Sequence, residues 1–192
     1  MFAVHSKTID IFRLLAAAKT IDYRSDEGGR LLLSAAPIGN TPVLRELLDR
    51  GASVNYRQPQ SEVTPLLLSA GMEQTDSARM LIERGADVNA RDWMGQTALF
   101  RAAMGMNTGM IELLITRGAD PNIRDKEGRT ALMTASNVCR YWNIKALLVH
   151  GADPSIRNNR GRTALEPDYV ATDDPNCAIC TRLLKEGVFA LR

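Results

Sequence analysis

The chain is poor in the residue types on which catalytic sites and disulfide scaffolds depend. Its 192 residues include two histidines, three cysteines and 5% aromatic residues. Three cysteines are too few for a disulfide scaffold and fit a reducing interior, so we expect a cytoplasmic protein, although a secreted effector with a receptor-read address would look the same. A formal net charge of +2 makes no general case for nucleic-acid binding. The 45% hydrophobic and 24% charged content is typical of a folded, soluble domain.

Long apolar runs are also missing. No segment reaches the roughly 18 consecutive apolar residues that a membrane-spanning helix needs. The N-terminal segment is interrupted by His5, Lys7, Asp10 and Arg13, so it lacks the apolar core of a secretory signal. We therefore expect neither a membrane span nor a signal peptide. Neither terminus shows a linker, which slightly favours a stand-alone protein.

Motifs for catalysis are absent as well. The sequence contains no phosphate-binding glycine loop, no HExxH and no G-x-S-x-G. His150 directly precedes a glycine, as Arg50, Arg84 and Arg117 do, and this placement indicates a cation at a helix C-terminus rather than a general base. We therefore predict no enzymatic activity, no catalytic residue, no metal and no cofactor.

The sequence does contain a strong internal repeat. Thr64, Thr97, Thr130 and Thr163 each open a short apolar run, and consecutive threonines lie 33 positions apart. A second motif, Gly-Ala followed by Ser or Asp, begins at residues 51, 85, 118 and 151. A fixed period of this length indicates stacked units, each burying its apolar face on its neighbours.

Each unit carries the local signals of two helices and a loop. Thr97 is placed to cap the first helix, with its hydroxyl accepting a hydrogen bond from a backbone N–H. Leu99, Ala102 and Ala103 provide the apolar face of that helix. Gly118 is placed where the second helix ends in the left-handed region that glycine tolerates. The Asp-x-Asn segment then turns the chain back through an exposed hairpin-like loop.

These motifs resemble the ankyrin repeat. The family's Thr-Pro-Leu-His-x-Ala opening is matched at residues 64–66, and its Leu-Leu-x-x-Gly-Ala-Asp-x-Asn close is matched at 113–122. The resemblance covers almost the whole chain and implies an all-α ankyrin-repeat solenoid of stacked helix-turn-helix units with projecting hairpin-like loops. The family's histidine is replaced here by Leu67, Phe100, Met133 and Glu166, so the hydrogen bonds it would make between loops are expected to be absent or replaced.

The repeats divide the expected single domain into a cap, an array and a closing segment. Residues 1–24 are interpreted as an N-terminal cap, and the four repeats are expected over 25–58, 59–91, 92–124 and 125–157. Residues 158–192 are interpreted as a degenerate repeat and C-terminal cap, because Pro167, Asp168 and the stretch 172–175 lengthen its connection. Its closing helix is predicted over 177–185, ending at Gly187.

The resemblance implies non-enzymatic binding of another protein through the concave face and the loop tips. The loop-tip candidates for partner contact are Trp93, Met94, Lys126, Asn159 and Arg160. The candidates on or near the inner helix faces are Met72, Met104, Asn137, Val138, Tyr141 and Trp142. Exposed tryptophan beside methionine makes an adaptable contact surface. The alternative is that Met104, Met106 and Trp142 fill gaps inside the stack.

A row of arginines provides a second candidate surface. Arg24, Arg57, Arg91, Arg124 and Arg157 occupy the same place in successive repeats, just before each loop tip. Because packed units advance by about 10 Å, the row would form a ladder for an acidic partner, and its last three members are included among the candidate contacts. The alternative is that neighbouring aspartates pair with these arginines, since surface ion pairs are common.

Cys177 and Cys180 form a Cys-x-x-Cys at the predicted start of the closing helix, where the helix dipole could activate the first thiol. A βαβ setting and a second cysteine pair are missing, and Cys180 aligns with apolar positions such as Ile111 and Ile144. We therefore favour structural cysteines. Two alternatives to simple protein binding remain: an inhibitor or protective partner of a specific enzyme, and a redox-sensitive protein that uses these two cysteines. The expected chain is a monomer that binds a protein, with no nucleic acid and no membrane.

Overall fold

The computed structural model describes residues 21–166 and 175–186, and the regular structure within these ranges is helical throughout. Its α-helices are α1 Asp26–Ala35, α2 Thr41–Asp49, α3 Pro65–Gly71, α4 Thr75–Glu83, α5 Ala98–Met104, α6 Thr108–Thr116, α7 Ala131–Asn137, α8 Tyr141–Val149 and α9 Pro175–Glu186. A short 3-10 helix, Ala36–Ile38, extends α1. Most of the predicted N-terminal cap, the lengthened connection over 167–174 and the helix end at Gly187 lie outside the described residues.

The helices stack as consecutive pairs. The first helices of the pairs, α1, α3, α5 and α7, pack on one another in order, and the second helices, α2, α4, α6 and α8, form a parallel layer. Helix α9 packs on α8 and α7. Each pair therefore buries its apolar face on its neighbours, as the 33-residue period predicted, and the all-α solenoid that the resemblance implied is confirmed.

The core runs the length of the stack between the two layers. Equivalent first-helix positions carry the fully buried Leu32, Leu66, Leu99 and Leu132. Equivalent second-helix positions carry the fully buried Leu47, Leu81, Leu114 and Leu147. The predicted core residues Ala102, Ala103 and Ile111 are buried as well, and the small alanines let the layers approach closely. Leu67, Phe100 and Met133 are also buried, so apolar packing replaces the family's histidine at these three positions.

The threonines begin the first helices, but not in the same way. Thr64 and Thr130 accept hydrogen bonds from the N–H groups of Leu67 at 3.3 Å and Met133 at 3.4 Å. Thr97 has the extended backbone of a cap residue, yet its hydroxyl makes no capping bond. The predicted bond at Thr97 is therefore wrong. In α5 the Phe100 N–H instead donates to the Thr97 carbonyl at 3.1 Å, a tighter first turn that satisfies the same donor.

The loops after the second helices are bonded to one another. Gly118 ends α6 with a φ of 93°, as predicted for a left-handed cap. The Asn89 side chain then donates to the Gly118 carbonyl at 3.1 Å and accepts from the Asp120 N–H at 3.0 Å, so one amide joins two repeats. In a later loop, the Ser155 hydroxyl and N–H donate to the Asp153 carboxylate and hold its pKa below the ordinary value.

Gly29 on α1 marks a close approach to the Tyr56 ring. A Cβ at Gly29 would lie 2.2 Å from the nearest ring carbons. We expect Gly29→Ala to lower the free energy of unfolding by about 1–3 kcal/mol, as overpacking does, in urea titrations followed by circular dichroism. Gly71→Ala on α3 is the matched control, because its Cβ would meet the Arg101 side chain no closer than 3.7 Å. Equal stability of the two variants would contradict the prediction.

Candidate functional site

The loop-tip row, which comprises residues 58–62, 92–96, 125–129 and 158–162, is the first candidate surface. In the second of these tips, the buried Asp92 carboxylate accepts hydrogen bonds from the N–H groups of Met94 at 2.9 Å and Gln96 at 3.0 Å. Its second oxygen pairs with Arg101 at 2.7 Å. Asp125 accepts from Glu127 and Arg129 in the same way. Asp92 and Asp125 thus satisfy backbone donors of their own two tips and fix the shape of these tips.

Neighbouring tips are joined through their backbones. The Trp93 N–H donates to the Ser61 carbonyl at 3.0 Å, and the Lys126 N–H donates to the Met94 carbonyl at 2.9 Å. The Asn159 N–H continues the series by donating to Glu127 at 2.9 Å. The loop-tip row is therefore one hydrogen-bonded edge, on which the Trp93 side chain stands 53% exposed.

The arginine row connects the repeats to one another. Arg57 donates to the Arg91 carbonyl at 2.7 Å, Arg91 to the Arg124 carbonyl at 2.7 Å and Arg124 to the Arg157 carbonyl at 3.0 Å. The arginines are therefore bonded within the chain, as the second interpretation of the row expected, but their acceptors are backbone carbonyls rather than aspartates. The arginine side chains stay exposed, so contact with an acidic partner remains a prediction.

The second candidate surface lies at the elbows, the short turns between the two helices of a repeat. Exposed apolar side chains occupy the elbow of each described helix pair and form what we call the elbow row: Ile38, Met72, Met104, Met106 and Val138. Because the helix pairs stack, these elbows are neighbours. Met106 is 77% exposed and Trp142 is 65% exposed, which excludes the interpretation that they fill gaps inside the stack.

The elbow row ends in a groove of about 380 Å³, which we call the elbow groove. It is lined by Gly105, Met106, Cys139, Arg140, Tyr141, Trp142, Asn143 and Ile179. These residues come from two consecutive elbows, from the first turn of α8 and from α9. The groove therefore lies where α9 meets the elbows of two successive helix pairs, α5–α6 and α7–α8.

Hydrogen bonds across the repeat boundary hold the floor of the elbow groove. The buried Asn143 amide donates to the carbonyls of Gly105 at 2.9 Å and Ala103 at 3.1 Å, which end helix α5. Its oxygen accepts from the Thr108 hydroxyl at 3.1 Å. Arg140 donates to the Met104 carbonyl at 3.3 Å. The groove floor is thus held in place by hydrogen bonds within the chain.

Aromatic contacts orient the exposed rim. The Tyr141 and Trp142 rings meet edge to face with their centroids 5.1 Å apart. The Lys145 ammonium lies 5.6 Å from the centroid of the Trp142 ring, within the range of a cation–π contact. These contacts hold the indole of Trp142 at the mouth of the elbow groove.

Cys139, which lines the elbow groove, forms a disulfide with Cys177 of α9, and the two Cα atoms lie 4.9 Å apart. The expectation of reduced structural cysteines is therefore wrong for Cys139 and Cys177. The alternative of a redox pair formed by Cys177 and Cys180 is also wrong, because Cys177 is bonded to Cys139. Cys180 is buried at the core position that aligns with Ile144, and it is not one of the residues that line the elbow groove. The sequence contained one signal for this disulfide. When α9 is aligned with α8, Cys177 takes the position of Tyr141, which is only two residues after Cys139.

The family model described as Ankyrin repeats (3 copies) matches residues 1–92 and again residues 91–158. The chain belongs to the ankyrin-repeat family. Ankyrin repeats generally mediate protein–protein interactions, and the family is typically non-enzymatic. Among curated proteins, none matches the chain.

In this ankyrin-repeat protein the predicted contact residues fall into two groups, which lie at opposite ends of the first helix of each pair. Trp93, Met94, Lys126, Asn159 and Arg160 lie in the loop-tip row, beside Arg91, Arg124 and Arg157. Met104, Asn137, Tyr141 and Trp142 lie at the elbows. The seven-residue helix α5 spans about 10 Å between the two ends at 1.5 Å per residue. Ile38, Met106, Cys139 and Ile179 were not predicted to be contact residues.

The described helices of this ankyrin-repeat protein are short, and the longest, α9, has 12 residues. None of the helices in the described ranges combines the length and hydrophobicity that crossing a membrane requires. Over the same ranges, no three His, Cys, Asp or Glu side chains gather into a potential metal site.

Proposed function

We propose that this ankyrin-repeat protein binds another protein chiefly through the elbow groove and the elbow row, with the loop-tip row as a second contact. The observation that carries the proposal is the cluster of exposed apolar side chains around a groove: Met106, Trp142 and the 50% exposed Ile179. Contiguous exposed apolar surface marks interaction sites in soluble proteins. Tryptophan and methionine are also enriched at interfaces.

The rigidity of the elbow groove supports the same function. The disulfide, the Asn143 hydrogen bonds and the Tyr141–Trp142 contact hold its walls in place. A preformed site spends less conformational entropy on binding than a loop that must order. The groove volume of about 380 Å³ lies near the lower end of typical binding pockets. We therefore propose that it receives one bulky apolar anchor of the partner.

The charges near the elbow groove favour an acidic segment beside that anchor. Arg140 lines the groove and Lys145 lies over the Trp142 ring. None of the described lining residues is an aspartate or glutamate, and the Glu73 carboxylate beside the groove already accepts a hydrogen bond from the Met106 N–H. An apolar side chain flanked by carboxylates would match this surface in shape and charge. Binding needs no catalytic step, metal or cofactor, and we propose that the chain acts as a monomer.

The proposal predicts that the two surfaces contribute unequally to binding. In capture experiments from native cell lysate, Met106→Ala/Trp142→Ala is expected to weaken retention of a specific partner about tenfold or more, because central aromatic anchors dominate interface energies. Trp93→Ala/Met94→Ala at the loop-tip row is expected to have a smaller effect. Captured proteins are quantified by mass spectrometry against the wild type.

Val149→Ala is the matched control for that experiment, because Val149 is an exposed apolar residue at the opposite end of α8. It should retain the partner like the wild type. Thermal unfolding of each variant shows whether the fold is intact. Loss of capture in the loop-tip variant alone would move the binding surface to the tips, and equal capture by all three variants would reject both surfaces.

A further inference from the structure

We infer that the Cys139–Cys177 disulfide controls the elbow groove: the oxidised protein presents the groove, and the reduced protein releases helix α9 and loses it. This inference concerns regulation of the surface whose binding role is proposed above, and so it rests on that proposed function. The juxtaposition behind it is direct: Cys139 lines the groove, and its disulfide partner Cys177 belongs to α9, the helix that contributes the lining residue Ile179.

Helix α9 supplies one part of the groove lining. Ile179, which lies two residues after Cys177, is the lining residue from this helix, and the other lining residues belong to the elbows and α8. Displacing α9 would remove Ile179 from the groove and leave Met106 and Trp142 on an open surface. The groove thus has two parts: the elbows with α8, and helix α9. The disulfide at Cys177 links the second part to the first.

The attachment of α9 differs from that of the earlier repeats. Side-chain hydrogen bonds to backbone carbonyls join those repeats; the donors are the amides of Asn89 and Asn122 and the guanidinium groups of Arg91 and Arg124. Within the described residues, hydrogen bonds of these two kinds extend no further along the chain than Arg157. Helix α9 buries Cys177, Cys180, Leu183 and Leu184. Helix α9 is therefore held to the stack by these buried side chains and by the disulfide, which opposes its local opening.

The disulfide is open to exchange from the groove side. Cys139 is half-buried and lines the groove, whereas Cys177 is buried in the helix interface. A thiolate of a dithiol reductant would attack the Cys139 sulfur, break the sulfur–sulfur bond and release the Cys177 thiolate, which takes up a proton. The second thiol of the reductant then displaces Cys139 as a thiol. The protein disulfide gains two electrons, and the dithiol becomes a disulfide.

The first test measures hydrogen exchange of the full chain, oxidised and after reduction with dithiothreitol. We expect the amides of α9 to exchange about tenfold faster or more after reduction, while those of α4 and α6 change little, because local opening sets these rates. A Cys139→Ser/Cys177→Ser variant should behave like the reduced wild type without any reductant. Cys180→Ala should keep the reductant response of the wild type. Unchanged exchange of α9 on reduction would overturn the inference.

The second test repeats the lysate capture with the oxidised wild type and the Cys139→Ser/Cys177→Ser variant, both without reductant. We expect a partner that depends on Trp142 to be captured about tenfold less by the variant, as when an anchor pocket is lost. Equal capture of that partner would overturn the control of binding. If no captured protein depends on Trp142, the proposed function fails, and the exchange rates of α9 still decide whether the disulfide holds the groove.

Discussion

Asn143→Leu is expected to lower the free energy of unfolding by about 2–4 kcal/mol, because it leaves buried carbonyls without donors. Asn143 is 2% exposed, and its amide donates to Gly105 at 2.9 Å and Ala103 at 3.1 Å. Leucine has a similar volume, so the loss reports the missing hydrogen bonds rather than a cavity. Urea titration followed by circular dichroism measures it.

The matched control for Asn143 is Asn159→Leu in the loop-tip row. The Asn159 amide also donates to a carbonyl of the preceding repeat, that of Lys126 at 2.9 Å, but the residue is exposed. Water can replace its hydrogen bond, so we expect a loss of about 1 kcal/mol or less. Similar losses at the two sites would show that Asn143 does not bridge the repeats as described.

Removing the disulfide is expected to destabilise the C-terminal part of the array by about 4 kcal/mol, the chain-entropy value for a loop of this size. Cys139 and Cys177 are 38 positions apart, and the loop between them contains α8. Because repeat arrays unfold in units, the loss should fall on α8 and α9 rather than on the whole stack. Hydrogen exchange resolved by segment, together with urea titration, measures where stability is lost.

The control for the disulfide compares reductant effects in two proteins. Dithiothreitol should destabilise the wild type and leave the Cys139→Ser/Cys177→Ser variant unchanged, since the variant has no such bond to break. The reduced wild type and the variant should then have similar stability. A wild type that is indifferent to reductant would show that the disulfide contributes nothing to the folded state.

Most of the fold was predictable, because its signals are local and repeat in phase. The glycine at 118 indicated a left-handed helix end, and Leu99 and Ile111 indicated the core faces; all three predictions are confirmed. Thr97 shows the limit of such local reasoning. Its position in the motif was predicted correctly. The first turn of α5 is tighter than expected, however, so the Phe100 N–H donates to the Thr97 carbonyl instead of the Thr97 hydroxyl.

The candidate site was predictable only in part, because it depends on contacts between repeats. Trp142 was a candidate from its residue type, but its neighbours Met106 and Ile179 lie 36 and 37 positions away in the chain. The arginine row was correctly aligned by period, yet its carbonyl acceptors belong to the next repeat. Residue type and spacing do not report which group of the neighbouring repeat a side chain meets.

By itself, the sequence determined the repeat, the helix pairs and the buried leucines, because a 33-residue period leaves each unit only its neighbours on which to bury an apolar face. Tertiary structure decided that Cys177 bonds to Cys139 instead of pairing with Cys180, which the alignment of α9 with α8 only hinted at, and that the exposed apolar side chains gather at the elbows. The physical reason is distance: a disulfide or a groove requires side chains to meet across a repeat boundary, and that meeting is set by how the helices stack.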